Sequence, residues 1–118
     1  MLEEVISKQF VICSELLSQK AKEYAPVDRL HNFRVAAEMQ NVRLETALAG
    51  MMAKHTVSLY DLIERTQKGE VFGSDIWVEK ITDHMNYLLL LKAILVEEWD
   101  KPTITVNTIT ERDVAYHG

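Results

Sequence analysis

The sequence predicts an all-α fold, a four-helix bundle-like domain followed by a C-terminal β-strand or extended tail. Apolar residues recur at three- and four-residue steps through four stretches of the chain. Helix-breaking or capping residues separate those stretches at Pro26, Asn41, Gly69 and Gly73. Only TITVNTIT, after Pro102, alternates with the period of a strand. The 118 residues suffice for one core without metal or disulfide, with 1–101 as the helical domain and 102–118 as the strand or tail.

The first helix is expected over residues 2–23, where Leu2, Val5, Ile6, Phe10, Cys13, Leu16 and Leu17 form one apolar stripe. Ala25 and Pro26 make a corner, because the residue before a proline is pushed out of the helical region, and Asp28 can cap the next helix. That short helix covers about Leu30 to Gln40. After a break at 41–44, with Asn41 as a possible cap, Leu44, Leu48, Met51, His55, Leu59 and Leu62 run through a third helix to roughly Gln67. Gly69 stops it, and 68–73 is a loop whose apolar pair, Val71 and Phe72, can fold back onto the bundle.

The fourth and longest helix is expected from Ser74 to Trp99, with Ser74 as its cap and Asp75 in the first turn, where the helix dipole favours a negative charge. Ile81, Met85, Leu88, Leu91, Ile94 and Leu95 recur along it. The run Leu88–Leu91 makes its second half apolar almost all round, which places that half inside a bundle. Its first half is unlike this: Glu79, Asp83, Asn86, Tyr87 and Leu90 share a stripe that passes from acid to apolar. The terminal strand needs a pairing partner for its backbone, and a second copy of the protein is the expected one, making the chain a homo-oligomer.

Composition narrows the function. A net charge of −5 repels DNA and RNA, although a local basic pocket for phosphate is compatible with it. No apolar run reaches the length of a membrane span and the first ten residues lack the pattern of a signal peptide, so the expected location is the cytoplasm. The single cysteine, Cys13, sits in a helical apolar pattern and reads as a small buried side chain. Phosphate loops, dinucleotide fingerprints, CxxC and HExxH motifs are absent from the sequence.

Three clusters carry chemistry. In KAKEY, Lys20–Tyr24, with His31, Asn32 and Phe33 after it, the lysines suit the end of a helix dipole; alternatively Lys20 or Lys22 contacts phosphate while Tyr24 or Phe33 offers a ring to a base. Lys54 shares a helix face with Ala47 and Gly50, where the absent side chain of Gly50 lets a ligand or a backbone come close, and His55 continues the core stripe. Glu79 and Asp83 lie four apart, a repulsive pair that one divalent cation would suit. Asp83 can equally pair across the bundle with Lys54 or His55, and Asn86 and Tyr87 continue the same stripe.

Together KAKEY, HNF, KH and EKITDHMNYLLLL resemble a family of small conserved phage and prophage proteins, over roughly Leu16 to Glu98. More distantly, the layout is similar to the all-α nucleoside triphosphate pyrophosphatases of the MazG type and to phage nucleotide-modification-associated helical domains. Those pyrophosphatases hold magnesium with E-x-x-E and E-x-x-D pairs on successive helices. Here the later pair stands as Glu79 and Asp83 with altered spacing, and Lys54 and His55 take the place of the earlier one. The resemblance implies a nucleotide-type, phosphate-bearing ligand.

The residues support three functions. In the first, Lys22, Lys54 and His55 contact phosphate or ribose, Tyr24 or Phe33 stacks on a base, and His31, Asn32, Asp83, Asn86 and Tyr87 complete the site without any required cofactor. Such a protein sequesters a nucleotide, including an immune signal if a phage carries it into a host cytoplasm. In the second, an enzyme, Glu79 and Asp83 hold Mg²⁺ for pyrophosphohydrolysis, with further acids from Glu23, Asp28 or a second subunit. In the third, the chain is a non-enzymatic oligomeric inhibitor of a host protein.

Overall fold

A computed structural model of the chain describes residues 1–24 and 30–101, with side chains for 1–19 and 30–101. It has four helices: α1 (Leu2–Tyr24), α2 (His31–Gln40), α3 (Leu44–Gln67) and α4 (Ser74–Asp100). The fold is all-α, with no strand among the described residues. The corner at Ala25 and Pro26, the cap at Asp28 and the strand over 102–118 fall outside them. No described helix is long and apolar enough to cross a membrane.

α3 and α4 pack as an antiparallel hairpin, so that Arg43 meets Glu98 at one end while His55 meets Asp83 and Thr56 meets His84 further along. α2 lies against α3 and reaches α4 through Phe33 and Arg34. Between the three helices Leu30, Phe33, Leu48 and Ile94 are buried, with Leu44, Met51, Tyr87, Leu90 and Leu91 packed around them. Each such side chain contributes about 1.5–3 kcal/mol on full burial. The α3 stripe expected from spacing is the one that faces this core: Leu48 and Leu62 are buried and Leu44, Met51, His55 and Leu59 half-buried.

The helix ends obey local rules with two departures from expectation. Asn41 does not open α3; it closes α2 in the left-handed conformation, φ 55° and ψ 49°. Its N–H donates to the Glu38 carbonyl at 3.2 Å and the Val42 N–H to that of Ala37 at 3.0 Å, the pattern in which a short polar residue ends a helix. Nor does Ser74 cap α4. Gly73 occupies the cap position with no side-chain bond to the helix, and Ser74 is already helical. A Cβ at Gly73 would lie 2.6 Å from Asp75 Oδ1, so the Asp75 carboxylate folds back over the space a side chain would need. α3 ends as expected at Gly69, where φ is 103°. In the loop beyond, Val71 is exposed while Phe72 folds back under the Arg65 guanidinium, 4.8 Å from the ring centre, and Arg65 also pairs with Glu70.

Two apolar expectations are corrected. Of the run in α4, Leu90 and Leu91 join the core but Leu88 and Leu89 remain exposed, because α2 and α3 cover one side of the helix only. Of the α1 stripe, Cys13 is buried and Leu16 and Leu17 are half-buried, whereas Leu2, Val5, Ile6 and Phe10 are exposed. Among the described helices α1 packs on α4 alone, on the side that carries Thr82, whereas Asp83 and His84 meet α3.

Candidate functional site

The expected acidic stripe of α4 is split by the helix between its two neighbours. Thr82 faces α1: it is 2% exposed and its hydroxyl accepts a hydrogen bond from Gln9 Nε2 at 2.8 Å. Above this contact α1 and α4 bound a groove of about 510 Å³. Its α1 wall is Ile12, Glu15, Leu16 and Gln19; its α4 wall includes Asp75, Val78, Glu79 and Asp83. Residues 75, 79 and 83 are spaced by one helical turn, so three carboxylates form a ladder on α4 with Glu15 across the groove. Like charges at this spacing cost a few tenths of a kcal/mol per pair.

Asp83 also turns toward α3, where its Oδ2 lies 3.8 Å from His55 Nδ1. The His55 ring rests on Tyr87, centroids 4.7 Å apart and 37° between planes, and Phe33 meets Tyr87 edge-on at 6.0 Å and 79°. Burial first, and the Asp83 carboxylate second, push the Tyr87 hydroxyl above its ordinary range, so it stays neutral and able to donate. Close by, His84 Nε2 and the Thr56 hydroxyl are 2.9 Å apart. Asn86 is 5% exposed, and its Oδ1 has no hydrogen-bond partner among the described residues, an arrangement that costs about 1–3 kcal/mol.

Of the residues expected to form a site, Phe33, His55, Asp83 and Tyr87 come together, with Asn86 buried one turn along α4 from Thr82. Phe33 is spent on the core, and its ring is not presented to a ligand. His31 and Asn32 are exposed at the start of α2. Lys54 is exposed on α3 and forms no ion pair with a described residue; the partner of Asp83 is His55. Nothing approaches Gly50 within 4 Å of where a Cβ would stand, so the close contact expected there is not made among the described residues. The side chains of Lys22 and Tyr24 lie outside the described residues.

Glu79 is exposed on the groove wall, and no group of three or more metal-ligating side chains among the described residues is placed to hold one ion. Sequence reasoning missed Glu15, Gln9 and Thr82 as site residues. The ladder of 75, 79 and 83 was readable from its spacing, but that Glu15 faces it depends on how α1 docks, which periodicity does not encode. Neither a protein-family model, nor a curated protein, nor a solved structure matches the chain.

Proposed function

We propose that the chain binds a small phosphorylated, nucleotide-type ligand in the groove between α1 and α4, with a divalent cation between its carboxylates and the phosphates. The observation that carries this reading is the carboxylate ladder Asp75, Glu79 and Asp83 facing Glu15 across about 510 Å³. That volume is in the range of small-molecule sites, roughly 300–1,000 Å³. Mg²⁺ is commonly held by one or two carboxylates with substrate phosphates and water filling the other positions, which suits a ladder that does not close round the ion by itself. Ile12, Leu16 and Val78 supply the apolar wall on which the face of a base rests. In this reading Asp83, shared with His55, orients the ligand, and the chain holds the nucleotide intact.

A second reading, Mg²⁺-dependent hydrolysis of a pyrophosphate bond, draws support from Glu15, which brings a carboxylate from another helix to the groove that Glu79 also lines. One experiment separates the two. The full chain is mixed with a panel of nucleotides, with and without Mg²⁺, then denatured and the released small molecules analysed. Intact nucleotide recovered only from samples with Mg²⁺ is the expected result, and Glu79→Gln is expected to weaken retention by about tenfold, roughly 1.4 kcal/mol. Release of pyrophosphate moves the assignment to hydrolysis. Retention that is indifferent to Mg²⁺ and to Glu79→Gln removes the groove from either reading.

A further inference from the structure

The apolar arc of α1 is wider than one neighbour covers. With successive residues turned by 100°, Ile12, Val5, Leu16, Leu2, Cys13, Ile6, Leu17 and Phe10 span roughly 160° of the helix, whereas an ordinary core-facing stripe is about 100° wide. α4 takes the middle of this arc, at Cys13, Leu16 and Leu17, and no other described helix approaches α1. Toward the start of the helix Leu2, Val5, Ile6 and Phe10 are left 66, 54, 45 and 53% exposed.

The side of α4 that meets α1 is uncovered in the same direction. The two helices run antiparallel, because Gln9 is bonded to Thr82 while residues 12–19, further along α1, share the groove with residues that precede and flank Thr82 on α4. Beyond Thr82 and Asn86 the same face of α4 continues as Leu89, Ala93 and Val96, all exposed. The α1 and α4 residues together leave on the order of 600 Å² of largely apolar surface open, at the upper end of what a monomer ordinarily exposes and close to the ~800 Å² per partner of a standard interface.

We infer that a second copy of this chain covers that surface, the two α1 helices pairing antiparallel about a two-fold axis near Ile6. In that register Ile6 meets Ile6 of the other copy and Leu2 meets Phe10. Glu4 and Lys8 are turned to the outer side, and Glu3 lies opposite Gln9, so no like charges are opposed. Each α1 then also lies beside Leu89 and Val96 of its partner's α4, and two α1–α4 pairs close into one four-helix arrangement.

The chemistry of the arc selects this occupant. Between residues 2 and 17 the arc carries no cationic side chain, and the first half of α1 offers Glu3 and Glu4 against Lys8 and the Met1 ammonium, which pairs with Glu3; this disfavours an anionic lipid surface or a nucleic acid. Its polar member Gln9 is already bonded to Thr82. Because the paired surfaces are the same on both copies, the contact closes after two chains and builds no filament.

The test uses the full chain. Light scattering on a size-exclusion column at roughly 100 μM is expected to give twice the 13.6 kDa chain mass. Ile6→Glu is expected to give the single-chain mass with an unchanged far-ultraviolet helix signal, and Val57→Glu, on the exposed face of α3, to leave the doubled mass intact. Ile6→Cys is expected to cross-link two chains under mild oxidation, because the axis sets position 6 against itself, whereas Tyr60→Cys is not; the native Cys13 is buried and does not compete. A single-chain mass for the unsubstituted protein overturns the inference. So does a doubled mass that survives Ile6→Glu, or one that Val57→Glu abolishes, or failure of Ile6→Cys to cross-link.

Discussion

Asp83 faces two ways, and its neighbours give the residue scale its first consequence. On one side it lines the groove; on the other it sits 3.8 Å from His55, whose ring lies on Tyr87. The Tyr87 hydroxyl is raised above its usual range, first by burial and then by Asp83. In the unfolded chain a tyrosine ionises near pH 10. Above that pH the unfolded state has released a proton that the native state still holds, so the unfolded state binds fewer protons and stability falls as pH rises. Below it, both states are neutral at this residue and the contribution is constant. Tyr87→Phe removes the ionisable group while keeping the ring against Phe33 and His55. Urea melts at pH 7 and at about pH 10.5 are therefore expected to show a smaller alkaline loss for the variant than for the unsubstituted chain. Equal losses would mean that Tyr87 is no less solvated in the fold than in the unfolded chain.

At the scale of the element, Gly69 ends α3 at φ 103°, with its N–H donating to the Thr66 carbonyl at 3.0 Å. No atom crowds the place of a Cβ there, so the whole cost of Gly69→Ala is backbone strain, about 1–2 kcal/mol, read as a lower urea midpoint with unchanged slope. This stop was legible in the sequence, as were the extents of all four helices, because a glycine in a left-handed turn and a 3.6-residue period are local properties. The cap of α4 was less so: Ser74 has the right chemistry for it, but the chain enters the helix one residue earlier and the Asp75 carboxylate takes the space above Gly73. Spacing also identified the α3 face that meets the core. It did not say that Leu88 and Leu89 would lie outside that core, since an all-round apolar run does not record on which sides the neighbouring helices pack. For the same reason the pairing of Asp83 with His55 stood among the sequence's alternatives, while Glu15 opposite the acidic ladder did not.

The whole molecule divides unevenly. α2, α3 and α4 share one core around Leu48 and Ile94, and Arg34–Glu97 at 2.7 Å and Arg43–Glu98 at 3.4 Å tie α2 and the start of α3 to the last turns of α4. These ion pairs are half-exposed and contribute at most about 1 kcal/mol each. Among the described residues α1 is joined to the rest by less: Cys13, Leu16 and Leu17 against α4, and the Gln9–Thr82 hydrogen bond. An element that buries little apolar surface opens at a lower free energy than the core it rests on. In hydrogen exchange on dilute protein, the amides of residues 2–12 are therefore expected to exchange before those in the middle of α3 and α4. If two copies pair through α1 as inferred, raising the protein concentration would add contacts to the same residues, and mass action would stabilise the docked form of α1. Exchange over 2–12 is expected to slow with concentration while exchange in α3 stays constant. On the proposed function, Mg²⁺ with a nucleotide in the groove would join its α1 and α4 walls, and adding both is expected to slow residues 13–19 at a fixed concentration. The two responses fall on different halves of one helix, so a single exchange series tells pairing between copies from ligand binding. Protection spread evenly over the four helices at every concentration would show that α1 is held as firmly as the core.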